Sequence, residues 1–442
     1  MNNSNIVLKK FFDRGRTLSY SFRIAQLKKL QKALTTYEPE LLKAIHKDFK
    51  KSTYEAYITE LILLHQELKY HIKHLKSWMR PQKVSSSLLN FPSSDYINAH
   101  PLGSVLIISP WNYPILLSLL PLIGAISAGN CVVLKPSEFT SDTSQVLKKM
   151  LKEIYPKEYI QVHTGDASVA IALTAMKWDK IFFTGSTSTG QKVYEAAAKN
   201  LTPVTLELGG KSPCVVFEDA PLQETIERIF FGKYINAGQT CIAPDYVWIH
   251  EKDADDFVAK FNTFSELNRF DITSIIHEQH EDRLRNLLPK GQEFTGYPQA
   301  FRVDDFSSPV MQEEIFGPLL PVKTYSKISE IKTQMGQLPS PLAFYVFTKN
   351  ESKANEFLKY FHFGGAVIND VMIHMANDKL PFGGVGHSGI GQYHGAFSFD
   401  CFSYKRPVVI KKGWKDLSFK QLPFSSTKLK WIKRYRNMMF KK

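Results

Sequence analysis

Three residues of this 442-residue chain have the types and neighbours that carbonyl chemistry needs: Cys241, Glu207 and Asn112. Cys241 lies in YINAGQTCIAP (234–244), which reads as a small, flexible, uncharged loop between a Gly-bearing turn and a proline, close to a helix end. A thiolate is intrinsically nucleophilic and would attack an electrophilic carbon from such a place, whereas a lone cysteine packed in a core is inert. Glu207, in LELGGKSP (206–213), stands between two leucines at a strand end before a Gly pair. Apolar company makes ionisation costly, so its pKa is expected to rise toward that of a useful general base; an ordinary strand-end glutamate is the alternative. Asn112, in PWNYP (110–114), is an amide inside an apolar stretch, where it serves either as an oxyanion donor or as a turn residue.

Two further stretches could hold a nucleotide. FFTGSTSTG (182–190) follows a predicted strand and opens a predicted helix. Its small residues let the backbone approach a pyrophosphate, and a helix N-terminus offers free N–H donors, although a tight turn with no ligand has the same composition. VLKPSE (133–138) places Lys135 and Glu138 just past another strand, at the edge where doubly wound sheets bind ligands. A carboxylate there can accept hydrogen bonds from ribose hydroxyls and would repel a 2′-phosphate, which favours NAD over NADP; two surface charges after a strand are the alternative.

The elements that must carry these residues alternate. From Gly103 onward, SVLIIS, a helix over 114–128, CVVLK, a helix over 141–154, YIQVH, a short helix, KIFFT, a helix over 189–199 and PVTLEL follow one another. Continuous apolar strands separated by helices predict a parallel sheet covered on both faces, the architecture of a nucleotide-binding domain. A second α/β set begins with SPCVVF and a helix over 222–234, and continues past the Cys241 loop with YVWIH, a helix around Phe257, Phe261 and Phe264, LLPVKTY, AFYVFT and GGAVIND. Before both, the apolar spacing predicts three amphipathic helices over 24–34, 41–49 and 58–79, with His65 as a core histidine. The Ser-rich segment SSSLLNFPSSDYINA predicts short strands outside the main sheets.

Composition narrows the reading. The formal charge of +14 arises from lysines spread along the whole chain, with no zinc-finger, helix-turn-helix or ribonucleoprotein pattern, so nucleic acid is not expected. Four widely separated cysteines suggest neither a disulfide framework nor a metal site, and fit a reducing, cytoplasmic setting. The start, MNNSNIVLKKFFDRGR, has no apolar run like a secretory signal. Residues 96–134 lack Asp, Glu, Lys and Arg, but Pro110, Pro114, Pro121 and Asn112 divide them into strand, turn, helix and strand in place of a membrane span. The tail KLKWIKRYRNMMFKK (428–442) predicts a basic amphipathic helix; a solvated helix is favoured, and peripheral membrane contact is left open.

Taken together, PWNYP, VLKPSE, FFTGSTSTG, LELGGKSP, NAGQTCIAP, QEEIFGP and PFGGVGHSG resemble the successive motifs of the aldehyde dehydrogenase superfamily, in the family's order and over nearly the whole chain. GQTCIAPDYV and PFGGVGHSGIGQYHGAFSFD resemble its class 3 branch, which includes fatty aldehyde dehydrogenases. The resemblance implies an α/β aldehyde dehydrogenase-like fold. A Rossmann-type NAD(P)-binding domain would span 1–83 and 101–206, a catalytic domain 207–395, bridging strands 84–100 and 396–412, and a basic tail 413–442. It implies oxidation of a medium- or long-chain aliphatic or an aromatic aldehyde to the carboxylic acid through a thiohemiacetal and thioester on Cys241. The oxyanion would be held by Asn112 and the Cys241 N–H, and Glu207 would activate the hydrolytic water.

The resemblance further implies NAD, with NADP open, held by Lys135 and Glu138 at the adenosine ribose, Gly185 and Ser186 at the pyrophosphate, and Glu314 at the nicotinamide ribose with Phe316 beside it. Tyr113 and Phe382 would line the substrate tunnel. No metal is implied, and bridging strands imply a homodimer. Two other readings stay open: acyl transfer to coenzyme A, against which Glu207 speaks, and a noncatalytic scaffold or membrane-surface binder retaining the fold, which would need none of Cys241, Glu207, Asn112 and Glu314. Between Arg269 and Ser308 the chain is shorter than the family pattern, and no strand is legible in YPQAFRVDD (297–305).

Overall fold

The structure, a computed structural model, describes residues 3–270, 272–414, 417 and 420–440. Residues 1, 2 and 271 of the two larger expected domains lie outside the described residues, as do residues 415, 416, 418, 419, 441 and 442 of the expected tail. The chain forms two units, Met1–Leu75 with Pro101–Ser403, and Lys76–His100 with Tyr404–Lys442.

The first unit holds two six-stranded sheets. One has the order Gly389–Ile390, Val204–Glu207, Lys180–Thr184, Ser104–Ile108, Cys131–Lys135, Ile160–Val162. Its five consecutive strands are parallel, and their runs of Val, Leu, Ile and Phe are buried because helices cover both faces. The sixth strand is antiparallel and comes from far along the chain: Gly389 pairs with Glu207 and Ile390 with Leu206. A Cβ at Gly389 would stand 2.4 Å from the Leu206 carbonyl oxygen, and φ is +154°, so this close approach requires glycine. The second sheet is parallel throughout, ordered Gln299–Arg302, Leu319–Tyr325, Tyr246–His250, Pro213–Val216, Ala343–Phe347, Gly365–Ile368.

The charge-free run resolves as expected into the strand Ser104–Ile108, a turn, the buried helix Leu116–Ala128 and the strand Cys131–Lys135. At 13 residues that helix is short of the roughly 20 a bilayer needs. Among the described residues no helix is long and apolar enough to cross a membrane.

Three expectations change. The first two N-terminal helices are one 30-residue helix, Tyr20–Phe49, that continues through Pro39. Its buried stripe, including Leu27, Leu30, Leu34, Leu41 and Ile45, packs on the helix Ser141–Ile154, and that burial outweighs the roughly 3 kcal/mol that an interior proline costs. A strand, Gln299–Arg302, is present within YPQAFRVDD, pairing Gln299 with Leu319. Only Ala300 and Phe301 of it are buried, and four residues at a sheet edge give too little periodicity to read. Of residues 396–412, expected as bridging strand, the first six lie in the helix Gly395–Cys401, packed on Leu116–Ala128, and only Ser403–Lys411 is extended.

The second unit contains a three-stranded sheet with the order Gln82–Val84, Ser93–Pro101, Ser403–Lys411, the first two antiparallel. The Lys412 N–H donates to the Pro92 carbonyl at 2.8 Å. Its tail forms the helix Ser426–Met439, none of whose residues is buried.

Candidate active site

The helix Leu222–Tyr234 runs into a turn in which Asn236 (φ 53°, ψ 28°), Ala237 (φ 52°, ψ 34°) and Gly238 (φ 70°) are all left-handed. Two successive non-glycine residues there are strained, so the surroundings must hold them. They do so with hydrogen bonds. The Asn236 N–H donates to Glu55 Oε1 at 2.6 Å, and its Nδ2 donates to the carbonyls of Asn112 and Gln239, both at 3.0 Å. Gln239 Nε2 donates to the carbonyls of Asn236 (2.9 Å) and Ser274 (3.1 Å), while its Oε1 accepts from the Ile276 N–H at 3.0 Å. The loop expected to be flexible is thus buried from Ile235 to Thr240 and cross-braced. Its small uncharged residues are there to fit, and the sequence could not show the partners.

Asn112 and Tyr113 approach this loop from the turn after the strand Ser104–Ile108. Asn112 Nδ2 donates to the Gln239 carbonyl at 3.1 Å, and the Tyr113 hydroxyl meets Thr240 Oγ1 at 2.6 Å. An amide nitrogen has two N–H groups, so one bond to Gln239 leaves a second donor for a ligand. Glu207 ends its strand fully enclosed, and neither carboxylate oxygen has a hydrogen-bond partner. Burial alone pushes its pKa well above the ordinary carboxylate value, as its apolar neighbours suggested. Cys241 is half-buried. Burial first, then the charges of Glu314 and Glu207, push its thiol up, against the pull of the Cys241 and Ile242 N–H groups. Forming the thiolate therefore costs more here than at an exposed cysteine.

One cavity of about 440 Å³ is lined by Asn112, Tyr113, Gly185, Ser186, Glu207, Cys241, Glu314, Phe316 and Phe382. Nine of the eleven residues singled out from the sequence thus meet in one place. Lys135 and Glu138 do not line it; they form an ion pair at 2.6 Å beyond the carboxyl end of Cys131–Lys135. Ser186 caps the helix Thr187–Ala198, accepting from the Thr189 N–H, so this helix opens into the cavity. The Thr184 hydroxyl beside it is buried and without a partner. At Gly209 a Cβ would stand 1.9 Å from Glu314 Oε2, so a side chain there would displace that carboxyl. Burial, then Asp245, raises Glu314 to about 8.

Residues that the sequence did not single out also belong here. Trp111 and Tyr393 line the cavity, as does Arg283 from the helix Glu278–Leu287. Arg283 straps the Glu314 segment, donating to Glu313 Oε1 at 2.8 Å and to the carbonyls of Glu314 and Ile315. Trp111 had a signal, its place in PWNYP. Arg283 lies in a polar helix with no motif.

The model of the aldehyde dehydrogenase family matches residues 9–408. This chain belongs to that family. It is an oxidoreductase acting on aldehydes, and its relatives include class 3 members. It is 41% identical to 4,4′-diaponeurosporen-aldehyde dehydrogenase of Staphylococcus aureus (strain NCTC 8325 / PS 47), covering 97% of each chain. It is 42% identical to aldehyde dehydrogenase family 3 member H1 of Arabidopsis thaliana, over 97% of this chain and 94% of that one. Among solved structures, the substrate-bound state of Staphylococcus aureus AldH superposes with a TM-score of 0.94 at 39% identity, covering 98% of this chain and 99% of that one. PnpE in complex with nicotinamide adenine dinucleotide superposes with a TM-score of 0.84 at 25% identity, covering 93% and 90%.

Proposed function

We infer that this aldehyde dehydrogenase oxidises an apolar aldehyde, aliphatic of medium or long chain or aromatic, to the carboxylic acid with NAD or NADP. The observation that carries this reading is one cavity lined at once by Cys241, Glu207, Asn112 and the N-terminal turn of Thr187–Ala198. The residues fit a dinucleotide: small residues and a helix start for the pyrophosphate at Gly185 and Ser186, an unpartnered Thr184 hydroxyl, and Glu314 and Phe316 for the nicotinamide ribose. Lys135 and Glu138 are assigned to the adenosine ribose, with the carboxylate favouring NAD. When bound, the cofactor supplies the acceptor for the hydride that leaves the aldehyde carbon.

The chain's own residues do the rest. Cys241 Sγ loses its proton to water and bonds to the aldehyde carbon, and the carbonyl electron pair moves to oxygen, where the Asn112 amide and the Cys241 N–H hold it. After oxidation to the thioester, Glu207 takes a proton from water as that water's oxygen bonds to the acyl carbon, and the C–S bond breaks to return the thiolate. Tyr113 and Phe382 give the aldehyde end an apolar wall. The domain assignment is a cofactor-binding part at 1–83 and 101–206 and a catalytic part at 207–395, acting as a cytoplasmic homodimer through the bridging sheet. For the tail a solvated basic helix is the favoured reading, with peripheral contact with a membrane as the second. The deciding experiment replaces Cys241 by Ser: NADH formation from a series of aldehydes of increasing chain length is expected to fall by about 10⁴-fold while NAD binding persists. Undiminished turnover would rule out the covalent route.

A further inference from the structure

Outside the cavity, a buried ion pair joins the N-terminal helices to the site. Lys51 and Glu60 are both fully enclosed, with Lys51 Nζ 3.1 Å from Glu60 Oε1. A buried pair is weak support for a fold, since well-packed apolar replacements are often as stable. Apart from a contact of Lys51 Nζ with the Phe49 ring at 4.9 Å, the other side-chain contacts of the pair among the described residues go to the turn that carries Asn112 and to the helix start just after it. Lys51 Nζ donates to the Asn112 carbonyl at 3.2 Å and sits 4.3 Å from the centre of the Tyr113 ring. Glu60 Oε2 accepts the N–H groups of Ile115 at 2.8 Å and Leu116 at 3.0 Å. The pair therefore grips the turn on both sides of Pro114.

The turn it grips carries the Asn112 amide. The Asn112 carbonyl accepts from Lys51 Nζ and from Asn236 Nδ2, and the same Asn236 amide reaches the Gln239 carbonyl that Asn112 Nδ2 also meets. Lys51 thus fixes the near side of a small closed set of hydrogen bonds whose far side is the Cys241 loop. We propose that Lys51, held in place by Glu60, is a positioning residue that sets the Asn112 amide against the Cys241 loop. This rests on the reading of Asn112 as the oxyanion donor. Lys51 touches no reacting atom; it acts through the Asn112 backbone, and displacement of such a donor by about 1 Å can cost on the order of 10²-fold in rate.

The test uses the full chain and the paired variant Lys51→Met/Glu60→Gln, which leaves no buried charge and keeps an acceptor for the Ile115 and Leu116 N–H groups. Turnover of an aldehyde that the unmodified enzyme oxidises is expected to fall by about 10- to 100-fold. Binding of NAD and the rate at which iodoacetamide alkylates Cys241, a displacement with no oxyanion, are expected to stay within about twofold. Placed in an Asn112→Ala background, the pair should add no further loss, because Lys51 acts through Asn112. Unchanged turnover in the paired variant while Asn112→Ala is slow would overturn the proposal. So would turnover, alkylation and melting temperature falling together, the mark of a purely structural role. Full activity of Asn112→Ala would instead remove the underlying reading of the amide.

Discussion

Glu207 is enclosed with two unpartnered carboxylate oxygens, an arrangement that costs stability and is useful only if something arrives to be bound or deprotonated. Its raised pKa keeps the carboxyl protonated to higher pH than an ordinary glutamate, so deacylation should speed up as pH rises through that pKa. Glu207→Gln is expected to give a burst of NADH equivalent to one turnover and then a steady rate lower by about 10²- to 10⁴-fold, with that acid limb gone from its pH profile. A full steady rate would exclude the role. Glu314 leads to a stability prediction. With a folded pKa of about 8 against an ordinary 4.5, the folded state binds more protons than the unfolded one between those values. Without cofactor, stability should therefore fall as pH rises across that window. Melting curves of Glu314→Gln should show a flatter dependence there.

At the scale of elements, the Cys241 loop is a rigid part that owes its shape to other segments. Glu55, Asn112 and Ser274 supply its bonds, and Gly317 closes it. A Cβ at Gly238 would lie 2.3 Å from the Gly317 carbonyl oxygen at a φ of +70°. Gly238→Ala should cost about 1–3 kcal/mol and lower turnover out of proportion to its effect on NAD binding. Calorimetry with steady-state kinetics measures both, and a neutral result would mean the loop tolerates displacement. The order of strands and helices was legible because long apolar runs alternate with amphipathic ones. The helix Glu278–Leu287 and the strand Gln299–Arg302 were not, one because it is mostly polar and the other because it is four residues long.

At the scale of the whole molecule, the basic tail is the surface with the least explanation in the fold. The helix Ser426–Met439 exposes Trp431, Met438 and Met439 among lysines and arginines, and residues 420–442 contain no acid. Such a helix suits an anionic bilayer surface. Sedimentation with vesicles containing phosphatidylserine should be lost on deleting residues 413–442, with catalysis toward a soluble aldehyde retained. Equal sedimentation of both forms would refute membrane contact. Gel filtration at twice the chain mass is the outcome expected of the bridging sheet, and elution as a monomer would contradict it.

What the sequence determined alone is the set of reactive types and the scaffold they hang on: a cysteine in a small-residue loop, a glutamate among leucines, an amide in an apolar turn, and alternating strands and helices. Those follow from local chemistry and periodicity, which travel with the residues. Tertiary structure decided how they are held. Glu207 has no partner only because of how the core closes around it, and the bracing of the Cys241 loop by Glu55 and Asn112, the reach of Lys51 to the Asn112 carbonyl and the strapping of the Glu314 segment by Arg283 all join residues far apart in the chain. Hydrogen bonds across such separations leave no mark on spacing, and the desolvation that sets each pKa exists only once the core has closed around the group.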